Sequence, residues 1–288
     1  KLRLGEKLLE KSLYGGQFEN LCSAIQKEVQ LTAIVLSMKD LNLSEEDLRK
    51  MWESIKSLVC LETFCLILNS VFSRSGAHFP FLCKAIEEWR SLKSLNLYLG
   101  GRYALISDPQ LSALGTTICT SRSLQHLNLD FSFCEKVSDR GISTLLNGFC
   151  SLTSLQRLSL DFTRCIEITS KAFSDLKISF IHLVSLQSLH LNLGGCKMIS
   201  DGCLNHIRKS IMSLKTLTEL SLDFRGCGKI SDVGLESLAN TFVCFPYLQN
   251  LTLEFWYCRK ISDKGLNNLS EKLKSLQRLS NLSLAFGG

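Results

Sequence analysis

The apolar residues of this chain fall into one pattern that recurs along its whole length. Aligned on the first leucine of Leu-x-x-Leu-x-Leu, units open at Leu92, Leu124, Leu155, Leu186, Leu217, Leu248 and Leu279, the first two 32 residues apart and the rest 31. Two weaker units precede them at Leu31 and Leu61, and Leu2 and Leu4 read as the remains of a further strand. A fixed period in this range is the mark of stacked repeats. Within the unit that opens at Leu124, alternation at Leu127, Leu129 and Phe131 has the period of two of a strand with one buried face. After Val137 the period changes. Ser138-Asp139 predicts a helix start, the hydroxyl capping a free backbone N–H and the carboxylate lying at the positive end of the helix dipole. The same pair recurs at Ser107-Asp108, Ser200-Asp201, Ser231-Asp232 and Ser262-Asp263. Ile142, Leu145 and Phe149 then form one helical stripe, repeated at Phe173, Leu176, Phe180 and at Leu204, Ile207, Ile211. Each unit is predicted to be a strand, a turn and a helix of about three turns.

A single unit of this kind cannot bury its apolar face, whereas stacked neighbours join their strands into a parallel sheet and line their helices up behind it. Strands pack about 4.8 Å apart and helices about 8 to 10 Å, so the helices fan outward. The predicted fold is therefore an α/β, right-handed solenoid, a horseshoe with the parallel sheet on the concave side and helices on the convex side. It is expected to be one array over residues 1–288, degenerate over 1–91 and regular over 92–288, and to be part of a longer protein.

The run Leu217-Thr-Glu-Leu220-Ser-Leu222-Asp-Phe224-Arg-Gly-Cys227-Gly-Lys-Ile230-Ser231-Asp232-Val-Gly234-Leu235-Glu-Ser-Leu238 carries the resemblance. It resembles the leucine-rich-repeat family, in its cysteine-containing and ribonuclease-inhibitor-like branches, with a longer unit of about 31 residues. The resemblance implies a non-enzymatic scaffold that binds other proteins through the concave sheet. The cysteine-containing pattern is also similar to that of substrate-recognition subunits of ubiquitin ligases. That role is one alternative, and a nucleic-acid-binding solenoid is another.

Composition narrows the setting. The chain has 45% hydrophobic and 21% charged residues, the balance of a folded protein. No apolar run reaches the length of a membrane span, so no membrane association is expected. Thirteen cysteines form an odd set lying mostly inside apolar patterns, which points to reduced thiols in a cytoplasmic setting. The column Cys134, Cys165, Cys196, Cys227 and Cys258 reads as small apolar plugs, and the column Phe131, Phe162, Phe224, Phe255 and Phe286 as core.

Catalytic, cofactor-binding and metal-binding residues are not expected. His126 and His190 can face the concave side, but they lie two repeats apart in different columns with no recurrent Ser or Cys partner. The concave face offers more. The exposed column after the second Leu-x-Leu leucine reads Ser37, Ile67, Tyr98, Asp130, Asp161, Asn192, Asp223, Glu254 and Ala285. With Glu219, the exposed strand carboxylates outnumber Arg157 and Arg225, on a chain whose formal net charge is +6. The candidate binding residues are Tyr98, Asp130, Arg157, Asp161, Asn192, Asp223, Arg225, Glu254 and Trp256. Aromatic and arginine anchors there would grip a protein partner, a basic segment, within a larger complex. Carboxylates stacked so closely are expected to repel one another. Lys136, Lys197, Lys229 and Lys260 recur before the helix starts as a separate basic ridge without the aromatic residues that nucleic acid needs for stacking.

Overall fold

The computed structural model describes residues 2–4, 7–9, 17–27, 30–37, 45–68, 79–101 and 106–287. The first strands are β1 (Leu2–Leu4), β2 (Lys7–Leu9), β3 (Ala33–Ser37), β4 (Thr63–Ile67) and β5 (Ser94–Tyr98). They continue as β6 (His126–Asp130), β7 (Arg157–Asp161), β8 (Ser188–Asn192), β9 (Glu219–Asp223), β10 (Asn250–Trp256) and β11 (Asn281–Gly287). Between them run α1 (Gln17–Lys27), α2 (Glu45–Lys56), α3 (Phe79–Glu88), α4 (Asp108–Ile118) and α5 (Asp139–Asn147). The series ends with α6 (Leu176–Phe180), α7 (Asp201–Ile211), α8 (Asp232–Ala239) and α9 (Asp263–Leu273).

From β3 to β11 every strand pairs in parallel with the next in chain order, and each repeat matches its neighbour residue for residue, as in Leu129↔Leu160, Leu160↔Leu191 and Leu191↔Leu222. The helices pack on one another in the same order. The chain is an α/β repeat solenoid. At the N-terminal edge the sequence expectation is corrected. Leu2 and Leu4 do lie in a strand, but β1 runs antiparallel to both β2 and β3. Two residues separate β1 from β2, too few for the crossover of a dozen or more that parallel pairing needs.

The leucines of the strands and the stripes of the helices form one continuous core. Behind the strands Phe131 stacks on Phe162 at 5.8 Å, Phe224 on Phe255 at 5.3 Å and Phe255 on Phe286 at 5.4 Å, while Leu193 takes this place in the β8 repeat. The cysteine column lies beside them, buried as expected, and each thiol reaches back to the preceding repeat. Cys165, Cys196 and Cys258 donate to the carbonyl oxygens of Phe131, Phe162 and Phe224 at 3.2, 3.1 and 3.2 Å. Burial pushes these thiols well above the ordinary range, Cys134 and Cys196 to about 12 and Cys258 to about 11.

The helix starts are stitched from repeat to repeat. Ser138, Ser231 and Ser262 cap their own helices through the backbone N–H groups of Arg140, Val233 and Lys264. The aspartates do something the sequence reading missed: Asp108, Asp139, Asp201 and Asp232 hold the cap of the following repeat. Asp201 accepts from the N–H and hydroxyl of Ser231, both at 2.7 Å, and Asp108 and Asp232 do the same for Ser138 and Ser262. In three of these repeats the third helical position is a glycine, and a Cβ at Gly141, Gly234 or Gly265 would run into the carboxylate of Asp108, Asp201 or Asp232. Where Asp139 holds Thr169 at 2.6 Å the third position is Ala172, in a 3-10 turn instead of an α-helix. Where Ser170 replaces the aspartate, Cys203 replaces the glycine.

That repeat also departs from the expected three-turn helix. Ser170–Phe173 forms a 3-10 turn and the α-helix is reduced to Leu176–Phe180. Ser174 and Asp175 interrupt the stripe, residue types that compete for backbone hydrogen bonds inside a helix. Among the described residues no helix is long and apolar enough to cross a membrane.

Candidate functional site

Parallel register holds the candidate column in line: Ile67↔Tyr98, Tyr98↔Asp130, Asp130↔Asp161, Asp161↔Asn192, Asn192↔Asp223 and Asp223↔Glu254 are all paired. Arg157 lies on the same face at the start of β7, beside His126 and Ser188. Trp256 is the last residue of β10 and is 43% exposed. Arg225 lies beyond the end of β9, on the rim rather than on the sheet.

The carboxylates of this column also close the turn that ends each strand. One oxygen of Asp130 accepts the backbone N–H of Ser132 at 2.8 Å, and Asp161 accepts that of Thr163 at 2.7 Å. Asn192 and Asp223 do the same for Gly194 and Arg225, each at 2.9 Å. A short polar side chain that bonds two residues ahead mimics a backbone turn and fixes the departure of the chain. The expected repulsion is relieved at two places in the column, while Asp130 and Asp161 remain direct neighbours. The Asn192 amide donates to the second oxygen of Asp161 at 3.0 Å, and the Arg225 guanidinium holds the second oxygen of Asp223 at 2.6 Å. Asn192 and Asp223 are only 9% and 5% exposed, which leaves little of either side chain for a partner. Negative charge that is still open to solvent resides on Asp130, Asp161 and Glu254, all partly exposed. The missed signal is legible in hindsight: an Asp or Asn at one fixed place in four successive units marks a turn requirement as much as a charge preference.

Three residues past this column the backbone turns left-handed in five successive repeats, at Phe133 (φ 61°), Arg164 (φ 57°), Gly195 (φ 76°), Gly226 (φ 73°) and Tyr257 (φ 63°). Sequence reading did not find this column, because only two of its members are glycine. The lysine ridge is also redrawn. Lys136, Lys229 and Lys260 lie at the bridge positions that precede the helices, where Met198 occupies their register, and Lys197 stands one residue earlier.

The two concave histidines, assigned by sequence to separate columns, line one shallow depression of about 360 Å³ with Arg157 between their strands and Asn96, Asn128 and Ser159 around them. Burial and then the Arg157 charge lower the His126 pKa, so the imidazole is neutral near pH 7. Among the described residues no three His, Cys, Asp or Glu side chains come close enough together to hold a metal ion.

No protein-family model matches this sequence, and neither does any curated protein. One of the solved structures that match is the crystal structure of the Rad7 and Elc1 complex in yeast. It is 18% identical, covers 92% of this chain and 75% of its own, and superposes with a TM-score of 0.41. A likeness at that level transfers neither a partner nor an activity.

Proposed function

We propose that this chain is a non-enzymatic protein-interaction scaffold, one leucine-rich-repeat array of the cysteine-containing, ribonuclease-inhibitor-like kind, working without a cofactor inside a larger cytoplasmic assembly. Its partner presents a basic segment that lies across the concave sheet, over Tyr98, Asp130, Arg157, Asp161, Glu254 and Trp256. Asn192, Asp223 and Arg225 hold the shape beneath that segment. The observation that carries this reading is the in-register column of carboxylates. Turn hydrogen bonds fix the Asp130 and Asp161 carboxylates in place, and neutral amide donors leave their charge uncancelled. A preorganised row of charge raises encounter rates with an oppositely charged partner and fixes its register.

The test begins with the protein that the immobilised 288-residue chain retains, mapped by cross-linking and then measured for binding at two salt concentrations. Asp130→Asn together with Glu254→Gln is the decisive variant, since an asparagine in place of Asp130 keeps the turn acceptor. The expected result is contacts on β5 to β10 and slower association in the variant, with a weaker salt dependence. Contacts confined to the helices, or identical salt dependence in the variant, would remove the concave site.

A further inference from the structure

We infer that the rim above β6 to β10 holds a second binding site, of opposite charge to the concave sheet, that takes a short extended acidic segment carrying an aromatic side chain. The groove has a volume of about 670 Å³. Its floor is the backbone at Gly195 and Gly226, and its walls are Phe133 with Arg164 on one side and Tyr257 on the other. This is the left-handed column.

Backbone strain supports the assignment. A left-handed conformation costs an L-residue about 1 to 2 kcal/mol, and for a bulky side chain it is an outlier. Glycine meets the requirement at Gly195 and Gly226, while Phe133, Arg164 and Tyr257 adopt the same φ with large side chains. None of the three is in the core: Tyr257 is 58% exposed and Arg164 is exposed. Arg164 instead lies over the Phe133 ring at 5.6 Å, and Tyr257 packs against Trp256 at 6.4 Å, so each wall is a supported aromatic or cationic surface facing the glycine floor. The floor is narrow in a useful way. A Cβ at Gly195 would press on Arg164, whereas one at Gly226 would meet only ordinary contacts, at 3.7 Å and beyond.

Charge and dimensions define the occupant. The turn segments 132–136, 163–167, 194–198, 225–229 and 256–260 carry seven basic and two acidic residues. One of the seven, Arg225, is held by Asp223, and Arg164 and Lys197 line the groove itself with Glu135 at one end. From β7 to β10 is three strand steps, about 14 Å, which an extended chain crosses in about four residues. An aromatic ring fits over the glycine floor beside the Arg164 guanidinium, where ring and cation attract, and flanking carboxylates meet Arg164 and Lys197. This site is independent of the concave one, since the same peptide would be repelled by Asp130 and Glu254.

The probe is a fluorescein-labelled Glu-Asp-Trp-Asp-Glu peptide, followed by anisotropy against the whole 288-residue chain at low and high salt. Binding that weakens with salt is expected, with Lys197→Glu and Gly226→Asn each weakening it at least tenfold, the first leaving the melting temperature unchanged and the second lowering it by no more than a few degrees. Asparagine is among the L-residues that tolerate the left-handed φ best, so Gly226→Asn fills the floor with the least added strain. Asp130→Asn with Glu254→Gln should not weaken the binding, since it removes only charges that repel the peptide. Four results would overturn the proposal: no binding of the acidic peptide, equal binding of its Lys-Arg-Trp-Arg-Lys counterpart, equal binding with serine in place of tryptophan, or tighter and competing binding of a ten-nucleotide oligothymidylate.

Discussion

In the five repeats from β6 to β10 the carboxylate column on the floor of the sheet and the left-handed column on its rim lie three residues apart and solve opposite problems. On the floor, Asp130, Asp161 and Asp223 recur because the turn after each strand needs an acceptor there, and their charge comes with that structural duty. On the rim the chain needs only a left-handed residue, and Phe133, Arg164 and Tyr257 exceed that need with side chains that do little for the core. Recurrence therefore marks what the repeat requires. Departure from the easiest residue marks where a repeat does something of its own. The two columns should fail differently when altered: floor substitutions that remove the turn acceptor lower stability and binding together, and substitutions of the rim side chains lower binding alone.

The largest expected effect comes from deleting floor acceptors. Asp161→Ala with Asp223→Ala strands the N–H groups of Thr163 and Arg225, the Asn192 amide and the Arg225 guanidinium. With partial solvation this should cost about 3 kcal/mol, or about 8 °C in the thermal midpoint. Next in size is Gly234→Ala, whose new Cβ displaces Asp201 from Ser231. A loss of about 1 to 2 kcal/mol is expected, and Asp201→Ala in the same chain should abolish most of the difference between glycine and alanine at 234. Asp232, the next carboxylate of that ladder, has its pKa lowered by its hydrogen bonds to Ser262, so its contribution is present above about pH 4 and fades in acid.

The thiol column gives a base-side counterpart. Because burial raises these pKa values, the folded state keeps protons that the unfolded chain loses. The contribution is whole below about pH 9 and falls as pH rises through about 11 for Cys258 and about 12 for Cys134 and Cys196. Urea unfolding from about pH 8 to about pH 10.5 should show a shrinking midpoint, and at neutral pH a thiol reagent should modify exposed Cys150 while reaching Cys165 and Cys227 only after denaturation. The smallest effect sharpens the comparison most. Asp130→Asn keeps the acceptor for Ser132 and leaves no stranded donor, so stability should stay within about 0.5 kcal/mol.

How much of this was legible depended on what kind of interaction each residue makes. Strand, turn and helix followed from leucine spacing, since burial on one face imposes its period directly, and the in-line column followed from the constant repeat length. The antiparallel β1, the broken helix at Ser170–Phe173 and the joint depression of His126 and His190 did not, because each depends on which neighbour a residue meets across repeats. The left-handed column was hidden for a related reason. Glycine announces a positive φ, but Arg164 and Tyr257 adopt it only because the stacked turns on either side impose it.

Asp161 and Arg164 stand three residues apart in one repeat, one on each column, so thermal unfolding of Asp161→Ala beside Arg164→Gly tests the division most directly. Removing Asp161 frees the Thr163 N–H and the Asn192 amide, whereas glycine at 164 relieves a φ of 57°. The expected result is a midpoint lowered by about 4 °C in the first variant and unchanged or slightly raised in the second. Equal losses in both, or a loss in Arg164→Gly alone, would contradict the assignment of the floor to the fold and the rim to a partner.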